Sequence, residues 1–181
     1  MKKIIVLFAI CFIVLQACNL SSGNKTADAK LVDNIDYKLI DKKRCSFRLA
    51  DDLKLQNIDT TMFSKEGYFK IEPPVDAGML QIFVFEGESD INDKIDRQQK
   101  ALNQPEIFTA STITPLNHWG KYEGKGIVMN GIYKGGIIKG KITVFAHSND
   151  KSSFLIIRQD IGSHELVKAD FDQIENSFKL K

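Results

Sequence analysis

Several things are scarce in this 181-residue chain, and each scarcity excludes something. Three cysteines cannot form a paired framework, so the chain is not a disulfide-stapled mini-domain. Four prolines and twelve glycines without a repeat exclude a collagen-like chain, and an apolar share of 43% excludes a wholly disordered one. Charge of one sign is also missing. A formal net charge of +2 is too weak to argue for a nucleic-acid partner. The three histidines, His118, His147 and His164, are too far apart in sequence for a local metal pair. Gly120, Gly124 and Gly126 do not match a dinucleotide fingerprint, and no Gly-Lys-Ser/Thr follows them. There is no Gly-x-Ser-x-Gly, and no carboxylate pair in a glycine-rich context. The sequence therefore points to no catalytic residue, no metal site and no cofactor.

What is present begins with residues 1–18, MKKIIVLFAICFIVLQAC. Lys2 and Lys3 form a basic flank, and the apolar run Ile4 to Leu15 is too short for a relaxed span of roughly 20 residues but suits a signal-peptide core. Leu15-Gln16-Ala17-Cys18 resembles the bacterial lipobox. That resemblance implies cleavage after Ala17, lipid on the Cys18 thiol and an acylated α-amine. One acyl chain holds a protein to a bilayer only marginally, whereas two or three anchor it stably. The expected membrane partner is thus reached through Cys18. Residues 18–36 read as the lipidated Cys and a flexible tether, rich in Asn, Ser, Asp, Lys and Ala. Asn19 is not the Asp of an inner-membrane retention signal, and no acidic cluster follows at once. The expected location is the cell envelope, on the periplasmic face of the outer membrane. Loss of residues 1–17 takes Lys2 and Lys3 with it and leaves the mature chain formally neutral.

Residues 37–181 read as a single domain. Residues 43–50 alternate, with Cys45, Phe47 and Leu49 on one face, as expected for a half-buried strand whose Cys is core. Further strands are expected over 67–72, 79–85, 107–115, 126–133, 137–147 and 153–160. The turn at Lys134-Gly135-Gly136 would join two of them, and Pro115 would close another. Ser89 or Asp90 caps a helix running to Leu102 with Ile91, Ile95 and Gln98 on its apolar stripe. A last helix starts at Ser163 as N-cap. It buries Leu166, Val167, Phe171, Ile174 and Phe178 and turns Asp170, Asp172, Gln173 and Glu175 to water. The fold class that follows is α+β: a mostly antiparallel sheet of about six to seven strands covered by helices.

The early CSFRLADDLKL, the glycine-rich hairpin ending in KITVFAH, the strand FLIIRQD and the closing DFDQIENSFKLK resemble the Mog/PsbP-like α/β/α sandwich over roughly residues 44–181. The resemblance implies a binding, assembly or scaffolding module. Its plant and cyanobacterial members assist photosystem assembly, and no partner-binding motif of theirs is matched here. The lysines at 121, 125, 134, 139 and 141 cluster over the hairpin. They read as a solvated sheet edge, or as a contact for acidic headgroups or an acidic protein surface. Trp119 reads as core-edge packing or as a stacking surface for a ligand; if there is a ligand groove, Trp119, Tyr122 and Tyr133 are expected to line it, and with Lys134, Lys139 and Lys141 they make up the candidate ligand or partner surface. Three functions are then open: a lipid-anchored, non-enzymatic binding or assembly module with an envelope protein partner; a carrier of a small apolar ligand between sheet and helix; and a hydrolase with an unrecognised site.

Overall fold

A computed structural model describes residues 36–57, 67–134, 138–162 and 164–181. The leader, Ala17, Cys18 and most of the tether lie outside them, as do the Gly135-Gly136 turn and the Ser163 cap. In chain order the elements are β1 (Tyr37–Asp41), β2 (Cys45–Ala50), β3 (Lys54–Asn57), β4 (Tyr68–Glu72) and β5 (Gly78–Glu86). Then come α1 (Ile91–Leu102), β6 (Phe108–Trp119), β7 (Tyr122–Tyr133), β8 (Lys139–Ser148) and β9 (Ser152–Ile161). A 3-10 turn (His164–Leu166), α2 (Lys168–Ser177) and β10 (Lys179–Leu180) complete the chain.

Seven strands form one sheet in the order β3-β4-β5-β9-β8-β7-β6, and every adjacent pair runs antiparallel. The architecture is α+β, with a second, three-stranded sheet in the order β1-β2-β10. The two edge pieces of that small sheet, β1 and β10, were not expected from the sequence: five and two residues are too short to show a period. Strands β5, β9 and β8 lie in the interior of the large sheet and are its most apolar, because both of their faces are covered.

Alternation along these strands sorts the apolar residues into two cores. One face packs Phe69, Leu80, Ile82, Phe154 and Ile156 against Cys45, Phe47 and Leu49 of the small sheet and Phe171 and Ile174 of α2. The other packs Met129, Ile142, Val144, Leu155 and Ile157 under Ile95 of α1. Cys45 is fully buried, as its place in the alternation requires. Phe145 lies across β7 at a point where only glycine fits: a Cβ on Gly126 would sit 2.4 Å from the Val144 carbonyl oxygen. α2 runs beside β2 and completes its edge, with the Arg48 amide donating to Ser177 Oγ at 2.8 Å. Residues Asp36–Lys181 thereby make one compact unit.

Two expectations are corrected by the fold, and the cap of α1 falls to one of its two candidates. β6 does not end at Pro115 but continues to Trp119. It is an edge strand, where a proline without an N–H costs no ladder bond, and it bulges near Ser111 and Asn117. α1 is capped by Asp90, whose carboxylate accepts from the amides of Asn92 and Asp93 at 2.9 and 3.1 Å. In the last helical region Val167, Phe171, Ile174 and Phe178 are buried as expected, but Leu166 is 73% exposed and Asp170 is buried. Leu166 lies in the 3-10 turn ahead of the helix, outside its period, whereas Asp170 falls at i+3 from Val167 and i−4 from Ile174, on the buried stripe itself. Burial pushes the Asp170 carboxyl up from its ordinary range, helped by the nearby charge of Asp52.

Candidate functional site

The register of β7 and β8 decides which side chains meet. Asn130 pairs with Lys141, and Ile132 with Lys139. Each alternates with a residue of the α1-side core, Met129 or Ile142, so all four project to the α2 side of the sheet. There the small sheet and α2 lie over β4, β5 and β9, while the outer strands stay open: Thr112, Thr114, Asn130, Ile132 and Lys139 are exposed. A cavity of about 510 Å³ is lined by Ser111, Asn130, Ile132, Lys139, Lys141 and His164. His164 comes from the 3-10 turn, so the groove has a sheet floor and a helical lip.

Beneath it runs a line of alternating charges. Lys141 Nζ is 3.1 Å from Asp160 Oδ2 as an ion pair, and Asp160 Oδ1 accepts from Arg158 Nε at 2.8 Å. Arg158 also donates to Asp172 Oδ1 at 2.9 Å, and Lys168 reaches Asp172 Oδ2 at 2.5 Å. The Asp160 side chain is only 1% exposed, so its charge is sustained by these cations and not by water. Burial works against the charge of Arg158, but the adjoining carboxylates of Asp160 and Asp172 outweigh it and hold the guanidinium protonated. Burial alone would raise the Asp172 carboxyl; the hydrogen bonds from Lys168 and Arg158 override it and hold it low. Glu165, 3.0 Å from His164 and close to Lys168, balances the line, so the uncompensated charge at the groove is that of Lys139, which has no ion-pair partner among the described residues.

The residues singled out from sequence divide. Lys139 and Lys141 share the groove, and Lys134 is exposed at the end of β7. Trp119 does not: it is 3% exposed and packs on Phe154 and Phe178, with ring centroids at 5.6 and 5.3 Å. Tyr122 belongs to the same aromatic cluster, its hydroxyl accepting from the Leu180 amide at 2.7 Å. Tyr133 lies on the opposite face, edge-on to Phe108, over Gly140, where any Cβ would come within 2.3 Å of its ring. Its buried hydroxyl is pushed well above the ordinary phenol range by burial, then by the charge of Asp160. His147 rests on the aromatic cluster with Nδ1 2.7 Å from the Glu123 carbonyl oxygen. Among the described residues, no three His, Cys, Asp or Glu side chains are placed to hold a metal. Asn130, Ile132 and His164 were not foreseen at the groove: alternation from Met129 puts the first two on one face of β7, but their register against Lys139 and Lys141 is not written in the sequence. The seats between sheet and helix that a small apolar ligand would need are filled by fully buried side chains, Phe108 and Met129 on one side and Phe154 and Phe171 on the other.

A polar cluster at the start of α1 was also unforeseen. Lys94 Nζ donates to Ser89 Oγ at 2.9 Å, Ser89 Oγ lies 2.6 Å from the buried Ser153 Oγ, and the same ammonium sits 3.2 Å from the Phe85 ring centroid. These contacts pin α1 to the end of β9. Burial lowers the Lys94 pKa from 10.5 to about 8. Between those values the unfolded chain holds more protons than the folded one, so stability rises with pH across that window. Lys94→Met should flatten this rise, which paired thermal melts of both proteins at pH 7 and pH 10 will show. An unchanged pH dependence would contradict the assignment.

No family model matches the chain, and no curated protein does either. Among solved structures it is similar to a Bacteroides thetaiotaomicron protein, with 14% identity over 76% of this chain and a TM-score of 0.49; the match spans 45% of that longer protein. It is similar to cyanobacterial PsbP from Synechocystis, with 11% identity, a TM-score of 0.49, and 83% and 95% of the two chains covered. It is also similar to LpqN of Mycobacterium tuberculosis, a protein involved in cell envelope biogenesis, with 12% identity, a TM-score of 0.44, and 86% and 96% covered. A PsbP is thus among the structures this chain is similar to, as is an envelope protein. Among the described residues no helix is long and apolar enough to cross a membrane.

Proposed function

We propose that this protein is a lipid-anchored, non-enzymatic binding or assembly module of the bacterial cell envelope, holding an acidic protein partner in the groove over β6, β7 and β8. The observation that carries the reading is the groove itself: Lys139 and Lys141 stand in register with Ile132 and Asn130 on the sheet face opposite α1, beyond the part that α2 and the small sheet cover. An open sheet face of threonine, isoleucine and lysine offers apolar area with cations beside it, which suits a protein surface bearing carboxylates. The buried ion chain keeps Lys141 in place, so part of this charge is ordered before any partner arrives. The anchor rests on the basic flank, the apolar run and the Cys18 motif; Asn19 in place of an Asp, with no acidic cluster after it, supports the periplasmic face of the outer membrane as its location.

Photo-crosslinking in living cells tests the partner. A crosslinking side chain at Ile132 of the lipidated full chain should give one discrete adduct, and the same group at Ile113, 40% exposed on the opposite face, should not. Lys139→Glu should cut the Ile132 adduct roughly tenfold, equivalent to about 1.4 kcal/mol. Equal labelling at the two faces would defeat the groove assignment. For the anchor, Cys18→Ala should remove the acyl mass from the intact protein and deplete it from washed membranes. Unchanged acylation would defeat that part of the reading.

A further inference from the structure

Away from the groove, three surface cavities meet at Lys181. The first, of about 710 Å³, lies on the outer face of the small sheet and is lined by Tyr37, Leu39, Arg48 and Lys179 among others. The second includes Lys151 of the β8–β9 turn, and the third adds Lys43 and Arg44 of the β1–β2 turn. Six cations, Lys43, Arg44, Arg48, Lys151, Lys179 and Lys181, thus converge on one end of the molecule. Three carboxylates accompany them: Asp41 pairs with Lys181, Glu86 takes Arg44 at 2.8 Å, and Asp150 lies in the β8–β9 turn. A positive excess remains, and Lys151 and Lys179 have no ion-pair partner among the described residues. Leu39 stands 62% exposed in the same concavity beside Tyr37. Tyr37 opens β1, so the chain that comes from Cys18 enters the domain at this face.

We infer that this lysine- and arginine-rich face is a second membrane contact, seated on the anionic headgroups of the leaflet that holds the Cys18 lipid. The inference rests on the anchor proposed above. Three features converge on it. Cations outnumber carboxylates, an exposed aliphatic side chain and a tyrosine lie among them, and the tether from Cys18 to Asp36 delivers this face to the bilayer at high effective concentration. Each cation near an anionic surface shifts the docked-to-free ratio by about fivefold, and the effect fades beyond roughly 10 Å at 0.1 M salt. With the face seated, the domain has a fixed orientation on the leaflet.

The single tryptophan reports on this directly, because Trp119 packs on Phe178, next to Lys179. The lipidated full chain is reconstituted in vesicles carrying a dansyl-headgroup lipid, made either of phosphatidylcholine alone or with phosphatidylglycerol added. Energy transfer from Trp119 should rise with phosphatidylglycerol, fall back in high salt, and drop to the neutral-vesicle level in the Lys151→Glu/Lys179→Glu variant. That variant should lower the docked-to-free ratio by roughly tenfold or more. Lys100→Glu/Lys134→Glu, on exposed positions of α1 and the end of β7, should leave it unchanged. Thermal melts confirm that both variants are folded. Transfer indifferent to lipid charge, in a protein whose intact mass carries the acyl groups, overturns the docked face and leaves the anchor standing. An intact mass without acyl groups overturns the anchor and this inference with it.

Discussion

Arg158→Ala is expected to destabilise the fold by about 3–5 kcal/mol, since removing one member of a buried ion pair strands its partner. The stranded group is Asp160, 1% exposed, which would keep only Lys141 at 3.1 Å, itself 40% exposed. Asp172 would lose its bond from Arg158 Nη1 and keep Lys168. The Phe171 ring would also lose the guanidinium that lies 5.3 Å from its centroid. Urea denaturation measures the effect. The replacement Arg158→Leu with Asp160→Leu should recover most of the loss, because a buried pair exchanged for apolar side chains is commonly neutral or better. If Arg158→Ala costs less than about 1 kcal/mol, the ion chain is not a closed buried network. The pH dependence has a definite sign. Asp172 is held low by its hydrogen bonds, so its contribution is present above the unfolded carboxylate range and is lost as pH falls through the folded value. The groove should therefore loosen in acid, with Lys141 and α2 losing their fixed relation.

Phe154→Ala is the second large change, at about 3–5 kcal/mol for a buried phenylalanine removed from a packed core. Phe154 is fully buried and is the shared neighbour of five rings: Trp119, Tyr122, Phe145, His147 and Phe178. Two of these contacts are at 5.0 Å, with Tyr122 edge-on and Phe178 tilted. The loss joins an area term to a cavity term, because rings on four different elements cannot all collapse into the gap. Trp119 emission provides an independent readout: admission of water beside the indole should shift it to the red. Phe154→Leu should cost markedly less. A small cost with unchanged Trp119 emission would mean that this cluster is not the centre of the core.

The interior strands were legible because burial on both faces leaves runs such as FVF in β5 and FLII in β9, and these need no knowledge of their partners. α1 was legible for a local reason as well, an acidic cap followed by a 3.6-residue stripe. β1 and β10 were not. Their few residues become strands only because β2 offers its two edges, and α2 fills the remainder of one edge through Ser177. The misplaced Leu166 and Asp170 show the same limit. Leu166 falls in the 3-10 turn, outside the α-helical period, and Asp170 shares the buried stripe of Val167, Phe171 and Ile174 although its charge had argued for water. At the groove, Lys139 and Lys141 could be picked out as neighbours on one strand. Asn130, Ile132 and His164 could not be joined to them, because a one-residue change of register would send each to the other face. Packing took both Trp119 and Tyr133: one into the aromatic core, the other over Gly140.

Taken by itself, the sequence determined what depends on neighbours along the chain: the alternating strands, the capped first helix and the α+β class. Tertiary structure alone decided what depends on residues far apart in sequence. It set which strands are edges, which lysines share a groove, and that Lys141, Asp160, Arg158, Asp172 and Lys168 form one line of charge. The division follows from the physics. Periodicity and capping are local and are written in every few residues, whereas register and charge pairing across 30 residues come into being only when burial brings the strands together.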